Sequence, residues 1–130
     1  MTNQAKRYRI SAIKEDAQGV FLWQVAPNEG EIFDYKPGQF SMIQLFNGAG
    51  SFWKKKPYSM SSSPTQKEYL EFGVKVHGDF TKKMAGLKVN DIIGIEGPYG
   101  FFTYDKEKLP DLVIFAGGIG ITPFVSMIRY

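Results

Sequence analysis

Along the first hundred residues, apolar and polar side chains alternate in short runs, a pattern typical of β-strands with one buried face. Turns rich in glycine, proline, asparagine and aspartate separate these runs. The pattern predicts strands at 6–13, 20–26, 40–46, 56–62, 69–77 and 91–97. One short helix, predicted from 79 to about 85 and ended by Gly86, interrupts them. We therefore predict a mainly β fold, a six-stranded antiparallel Greek-key barrel with one short helix.

The first two predicted strands form a hairpin across a turn at 16–19. In the first strand, Tyr8, Ile10 and Ala12 fall on one face, which we expect to be buried. The second strand is apolar on both faces. That pattern indicates a position inside a barrel or beneath a cover.

The pattern changes after residue 109. Residues 112–116 form a continuous apolar run, which is typical of a parallel strand covered on both faces. A glycine-rich segment, 117–123, follows, and Pro123 suits the first turn of a helix that continues to Tyr130. Strand, glycine turn and helix in this order open an α/β domain that binds a phosphate-bearing ligand at its strand ends. The segment departs from the dinucleotide-binding fingerprint, because Pro123 stands where the third glycine belongs.

We therefore divide the chain into a barrel domain, 1–109, and the truncated beginning of an α/β domain, 110–130. A lone strand, turn and helix cannot bury their own apolar surface. We accordingly expect the chain to be a fragment of a longer polypeptide. Two alternatives stay open: the last helix folds back onto the barrel, or a partner chain covers it.

The composition of the chain excludes several kinds of catalytic and metal site. The chain is 43% hydrophobic, which suffices for a core, and it contains no cysteine and one histidine, His77. Disulfides, thiolate nucleophiles, cysteine-ligated clusters and histidine-rich metal sites are thereby excluded, and we predict no metal site. A net charge of +3 favours anionic ligands without requiring nucleic acid. The first seven residues lack the apolar core of a signal peptide, and no apolar run approaches the ~20 residues of a membrane span.

The richest candidate chemistry lies in the predicted strand 56–62. Pro57 fixes the backbone, the ring of Tyr58 can stack on a flat ligand, and the hydroxyls of Ser59 and Ser61 can bond its edge. The lysine run 54–56 can hold a phosphate. The alternative is a solvated edge strand that ends in a turn. Just before it, we expect Phe52 and Trp53 on a loop, where they either cover a ligand or a partner or tuck over the end of the barrel.

A second candidate is the helix start at 78–81. Asp79 can cap the first turn, and Lys82 and Lys83 strengthen the pull of free backbone N–H groups on an anion. The alternative is an ordinary capped connector helix. His77 is more consistent with a solvent-exposed or hydrogen-bonded histidine than with a catalytic residue.

Three motifs, in this order, resemble those of the ferredoxin–NADP⁺ reductase superfamily from about Tyr8 to the end of the chain. Residues 56–59 resemble the family's Arg-x-Tyr-Ser, 78–81 its Gly-x-x-Ser/Thr helix start, and 117–123 its Gly-Gly-x-Gly-x-Thr-Pro. Residues 97–100 resemble the link between the family's two domains. The order and spacing of the motifs carry the resemblance. It implies a flavin-binding barrel followed by a nicotinamide-binding α/β domain.

The resemblance also implies residue roles. Tyr58 would stack on the isoalloxazine ring, Ser59 would bond the flavin nitrogen that accepts hydride, and Lys56 would hold the phosphates. Thr122 would lie where the nicotinamide docks, so Ser59 and Thr122 are the residues expected nearest the chemistry. The other residues would line the ribityl chain and ring edge or cradle the pyrophosphate: Pro57, Val74, Lys75, Val76, Gly78, Asp79, Phe80 and Thr81. The family usually has arginine at Lys56, and lysine lacks the bidentate fork, so FMN can compete with FAD.

The implied function is the flavin domain of an NAD(P)H-dependent oxidoreductase that passes electrons from nicotinamide through FAD to a carrier protein or metal acceptor. We expect a cytoplasmic location, or the cytosolic side of a membrane protein, since 78–81 also resembles the flavin domain of membrane ferric reductases. A homodimer through an exposed 112–116 edge is a further expectation. Two alternatives stay open. One is a non-catalytic barrel without flavin, and the other a basic barrel that binds single-stranded nucleic acid through exposed aromatics. The glycine turn argues against the latter, and we expect no nucleic-acid partner.

Overall fold

The structure is a computed structural model that describes residues 4–130. The predicted lack of a signal peptide concerns a segment that begins at residues 1–3, which lie outside the described residues. Six strands form one sheet: β1 (Lys6–Ala17), β2 (Val20–Pro27), β3 (Phe40–Phe46), β4 (Phe52–Ser59), β5 (Leu70–Lys75) and β6 (Ile92–Tyr99). The helical elements are α1 (Asp79–Ala85), a 3-10 turn (Gly118–Ile121) and α2 (Thr122–Arg129).

Every strand pair is antiparallel, and the strands lie in the order β4-β3-β6-β1-β2-β5. The last strand, β6, inserts between β1 and β3, which requires the crossing connection of a Greek key. The sheet curls until its two end strands, β4 and β5, touch, but no ladder joins them among the described residues. The predicted mainly β, barrel-like fold is confirmed, with the seam between β4 and β5 left open.

The inner face of the sheet encloses a single apolar core. Alternate residues of the strands point into it, as the period of two requires. α1 closes one end of the core with Phe80 and Met84. The other large side chains in it are also fully buried, each 2% exposed or less: Trp23, Tyr8, Ile10, Ile43, Leu45, Met60, Leu70, Phe72, Ile93 and Ile95.

A bulge in β1 changes the predicted facing of its second half. The register to β2 shifts between Ile10 and Ala12, so one extra residue is inserted in β1. Tyr8 and Ile10 are buried as predicted, but Ala12 turns outward and Ile13 packs against the core instead. The expectation for Ala12 was therefore wrong, because strict alternation does not survive a bulge.

Three further expectations need correction. β4 begins at Phe52, so Phe52 and Trp53 belong to a strand rather than to a loop. Asp79 does not cap α1: Gly78 is the N-cap residue, and no side-chain capping hydrogen bond forms there. Residues 112–116 form no strand and are mostly exposed, because no other strand lies beside them among the described residues to supply the hydrogen bonds of a parallel ladder.

α2 packs back onto the barrel, which was one of the open alternatives. Its Ser126 hydroxyl donates a 2.7 Å hydrogen bond to the Ser62 carbonyl, and both residues are buried. Met127 is also buried, and the ring of Phe124 meets that of Phe102 edge-on at 5.5 Å. Within residues 4–130, no helix has the length and apolar character to cross a membrane.

Candidate functional site

A cleft of about 380 Å³ lies where the end of β4, the outer face of β5, the start of α1 and the glycine turn meet. Four separate stretches of sequence contribute to its walls. The lining residues are Pro57, Tyr58, Ser59, Gly73, Lys75, Thr81, Ile119, Gly120, Thr122 and Pro123. Six of the twelve predicted cofactor-binding residues are among them.

β4 brings Pro57, Tyr58 and Ser59 to the cleft because it pairs with β3 on one edge only. Pro57 has no N–H to donate, so it suits a position at the edge of a sheet. Just beyond the strand, Met60 is fully buried and its sulfur accepts a 3.0 Å hydrogen bond from the Ser41 hydroxyl. This anchor holds the end of β4 while Tyr58 and Ser59 stay partly exposed.

An aromatic stack supports the cleft from one side. The ring of Phe80 lies between Trp53 and Tyr58, stacked on the first at 6.2 Å and 7° and on the second at 6.0 Å and 19°. Phe80 is only 1% exposed, so one residue of α1 fixes the orientation of both rings. Partial burial raises the pKa of Tyr58 further above neutral pH. Stacking on Phe80 fixes the orientation of the Tyr58 ring, and the ring is uncharged. It can therefore stack on a planar ligand.

Positive charge surrounds this stack. The ammonium groups of Lys54 and Lys83 lie 4.9 and 4.8 Å from the centre of the Trp53 ring, and that of Lys56 lies 5.9 Å from the Phe80 ring. Lys54 also forms a 2.6 Å ion pair with Asp79. A hydrogen bond from Lys54 is the largest cause that lowers the pKa of Asp79, and the backbone N–H of Phe80 contributes less, so the carboxylate is engaged mainly by lysine.

The turn into α1 is organised by Thr81. Its hydroxyl accepts a 2.6 Å hydrogen bond from the backbone N–H of His77, and Gly78 between them has φ of 97°. A side chain at Gly78 would be strained by that positive φ. Thr81 is 7% exposed, so its role in this turn is to fix the backbone beside the cleft.

The glycine turn forms the opposite wall. The Thr122 hydroxyl donates a 3.2 Å hydrogen bond to the Ile119 carbonyl, which closes the turn at the start of α2. Thr122 also packs against β5 at Gly73. In this way Thr122 and Ser59, the two residues expected nearest the chemistry, line the same cleft although they are 63 positions apart.

The remaining predicted residues lie beside the cleft rather than in its lining. Phe80 is in the stack, Asp79 and Lys56 flank it, and the Val74 side chain points into the core. The backbone N–H of Val76 donates to the Gly19 carbonyl. Sequence reasoning missed Gly73, Ile119, Gly120 and Pro123 as lining residues. An isolated glycine inside a strand pattern was the available signal for Gly73.

The sequence profile of the oxidoreductase FAD-binding domain family matches residues 11–104. The chain belongs to this family. The resemblance to the ferredoxin–NADP⁺ reductase superfamily is thereby confirmed, and the barrel-like fold described above is that of an oxidoreductase FAD-binding domain.

Two curated relatives show how much of a longer protein this FAD-binding domain spans. It is 42% identical over 121 residues to a probable dihydroorotate dehydrogenase B (NAD(+)) electron transfer subunit of Methanocaldococcus jannaschii, covering 93% of this chain and 40% of that protein. It is 36% identical over 126 residues to the sulfhydrogenase 2 subunit gamma of Pyrococcus furiosus, covering 94% and 42%. The chain thus spans about two fifths of the length of these relatives.

Solved structures share the fold. The cytochrome b5 reductase domain of Ulva prolifera nitrate reductase matches with a TM-score of 0.75 and 21% identity, over 99% of this chain and 57% of that one. A ferredoxin NADP⁺ reductase from Neisseria gonorrhoeae, solved with bound FAD and NADP, matches with a TM-score of 0.76 and 23% identity, over 97% and 51%.

The residues of the cleft fit a flavin. A half-buried tyrosine ring, three serine and threonine side chains and three lysines beside the aromatic stack suit a flat ring system that carries a pyrophosphate. No cluster of metal-ligating side chains lies among residues 4–130 that would suit a metal ion instead.

Proposed function

We propose that this domain holds the flavin of an NAD(P)H-dependent reductase that passes electrons from a nicotinamide to a carrier protein or metal centre. The observation that carries the proposal is the convergence of Tyr58, Ser59, Lys75, Thr81 and Thr122, from four separate segments, on one cleft. Convergence of motifs that are distant in sequence is what a cofactor site requires.

Each residue then has a task. Tyr58 stacks on the ring system, Ser59 bonds its polar edge, and Lys56 neutralises phosphate. Thr122 stands at the wall where the second substrate, the nicotinamide, approaches. The flavin, when bound, supplies the redox chemistry, and the protein supplies binding, orientation and charge. Lysine at position 56 offers one point charge in place of a fork, so the domain discriminates FAD from FMN less strongly than an arginine site.

We further propose that residues 110–130 begin the nicotinamide-binding domain of a longer polypeptide. Two observations support this. The relatives are more than twice as long, and the apolar side chains of Val113 and Phe115 are 79% and 89% exposed. Apolar side chains in such a run are normally covered by neighbouring elements. A second copy of the chain that pairs through 112–116 is the alternative cover, and it predicts a dimer in gel filtration.

The test of the flavin site is the visible spectrum of the purified chain, recorded before and after FAD is added and again after gel filtration. Flavin absorption that stays with the protein peak is the expected result. A protein that stays colourless with FAD in excess contradicts the proposal and favours a barrel without cofactor. Steeply salt-dependent binding of single-stranded nucleic acid would favour the basic-barrel alternative instead.

The test of the truncation is the rate of flavin reduction. We expect the 130-residue chain, loaded with FAD, to be reduced only slowly by NADH or NADPH, because it contains little of a nicotinamide site. Stopped-flow absorbance measures this rate. Fast reduction at modest NADPH would show that residues 1–130 already contain a complete nicotinamide site.

A further inference from the structure

Gly73 lies in the middle of β5, where glycine weakens a strand because it has no side chain to pack and loses more backbone entropy than other residues. Its backbone φ lies outside the positive region, so the conformation does not require glycine. The neighbouring side chains of Phe72 and Val74 point into the core, so position 73 faces outward, toward the cleft. A requirement for space is the remaining physical reason for glycine at this position.

The space that a side chain at position 73 would need is occupied by the opposite wall of the cleft. A Cβ atom at position 73 would lie 2.9 Å from the Thr122 methyl carbon, 3.5 Å from the Ile119 side chain and 3.7 Å from that of Leu22. A separation of 2.9 Å is shorter than carbon atoms tolerate, since their optimum is about 3.5–4.0 Å. Thr122 therefore packs directly against the backbone of β5, and it can do so only because residue 73 has no side chain.

Thr122 cannot give way easily. Its methyl and hydroxyl are both attached to Cβ, so a rotation that moves the methyl also moves the hydroxyl away from the Ile119 carbonyl, to which it is bonded at 3.2 Å. Relief of the clash would therefore break this hydrogen bond, displace the glycine turn, or do both. That displacement would separate Thr122 from Tyr58 and Ser59 on the other wall.

We propose that Gly73 is a positioning residue: because it has no side chain, Thr122 packs directly on β5, and this contact sets the distance between the glycine turn and the Tyr58-Ser59 edge at a value that suits a flat ring system. This inference rests on the proposed flavin site. A flat ring makes close contact with both walls only at one separation, because dispersion contacts fall off steeply with distance. An added methyl group at position 73 would change that separation.

The experiment measures the effect of Gly73→Ala on the FAD dissociation constant in two backgrounds, wild type and Thr122→Ser. Serine keeps the hydroxyl and lacks the methyl that clashes. We expect Gly73→Ala to raise the dissociation constant at least tenfold in the wild-type background and less than threefold in the Thr122→Ser background. Gly48→Ala is the matched control, since a Cβ at Gly48 meets no atom within 4 Å and its φ is not positive. Fluorescence titration measures the affinities, and circular dichroism checks that each variant is folded.

Two outcomes overturn the inference. The first is Gly73→Ala binding FAD as the wild type does. The second is an equal loss in both backgrounds, which would mean that Gly73 acts through the strand rather than through Thr122.

If the wild-type chain itself fails to bind FAD, the proposed function fails, and thermal unfolding of the same four proteins decides the spacing role. Gly73→Ala should then lower the melting temperature in the wild-type background by several degrees more than in the Thr122→Ser background. Equal shifts in the two backgrounds would refute the contact.

Discussion

The guanidinium of Arg129 in α2 and the carboxylate of Glu71 in β5 form an ion pair, with 2.6 Å between Nη1 and Oε1. Glu71 is buried, while the Arg129 side chain is 45% exposed. Ser61 and Gln24 complete the environment of the carboxylate with hydrogen bonds of 2.9 and 3.3 Å. The pair joins the last helix to the barrel at the same strand that carries Gly73, so it helps to hold the glycine turn over the cleft.

Replacing Arg129 by methionine should destabilise the chain by about 1–2 kcal/mol. The value lies between those of a surface pair and a buried pair, because solvent screens the exposed guanidinium while Ser61 and Gln24 still bond the carboxylate. Urea unfolding measures the change. The matched control is Lys67→Met, which breaks the exposed Lys67–Asp34 pair and should cost well under 1 kcal/mol. Equal losses of unfolding free energy in the two variants would contradict the prediction that the partly buried pair contributes more than the exposed one.

The stability of the chain should depend on pH through Glu71. Burial pushes the pKa of this carboxyl upward, but hydrogen bonds from Arg129, Ser61 and Gln24 outweigh it and leave the pKa below the usual 4.5. A group whose pKa is lowered by folding stabilises the folded state above its unfolded pKa, and this stabilisation disappears as pH falls through the folded value. We expect Glu71→Gln to be less stable than wild type at pH 7 and the difference to shrink below about pH 4.5. If the stability difference between wild type and Glu71→Gln stays constant between pH 7 and pH 3, Glu71 is not the source of the pH dependence.

Removal of the Tyr58 ring should weaken flavin binding. We expect Tyr58→Ala to lose ~1–3 kcal/mol of FAD affinity, on the scale measured for bases stacked on aromatic side chains. Tyr58→Phe is the control, because it keeps the ring, and it should bind within a few-fold of wild type. Titration followed by flavin fluorescence checks both variants. Unchanged affinity in Tyr58→Ala would exclude the stacking role.

The Phe80 ring should hold the Trp53 ring in place. Phe80→Leu removes both stacked contacts, each of which is worth about 0.5–1.5 kcal/mol beyond area burial. We expect a loss of about 1–2 kcal/mol in unfolding free energy, together with a red shift of tryptophan emission as Trp53 becomes solvated. Phe52→Ala is the control on the same strand, since Phe52 is 56% exposed. A red shift that persists in a Trp53→Phe background would have to come from Trp23 and would contradict the assignment.

Gly38 should be the glycine whose replacement by alanine destabilises the chain most. Its φ is 105°, and a Cβ there would overlap the Phe102 carbonyl oxygen and meet the Met127 side chain. Gly19 has a similarly positive φ of 73° but open space around it. We expect Gly19→Ala to cost about 1–2 kcal/mol from the backbone alone and Gly38→Ala to cost clearly more. Thermal unfolding compares them, and equal melting temperatures would show that the loop at Phe102 moves aside freely.

Much of the site could be predicted from local sequence, because its parts are short motifs with local causes. Pro57 suits an edge strand, Gly78 and Thr81 form a helix start, and Pro123 suits the first turn of α2, and each was found where the pattern indicated. The predicted cap at Asp79 was wrong because α1 begins at Asp79 itself, with Gly78 as the N-cap residue, and the Asp79 carboxylate pairs with Lys54 from a different strand. Such pairing between distant residues leaves no trace in the local pattern.

The sequence by itself determined the six strands and the short helix, because alternation and turn chemistry act within a few neighbouring residues. The class of ligand came from the resemblance of three motifs to a known family, and the roles of the site residues stay predictions. Only the tertiary structure decided the outward turn of Ala12, the burial of Phe80 between two rings and the seating of Thr122 on Gly73. It also decided that 112–116 forms no strand, since a ladder requires a partner. Each of these depends on atoms far apart in the chain that meet only after the sheet has curled.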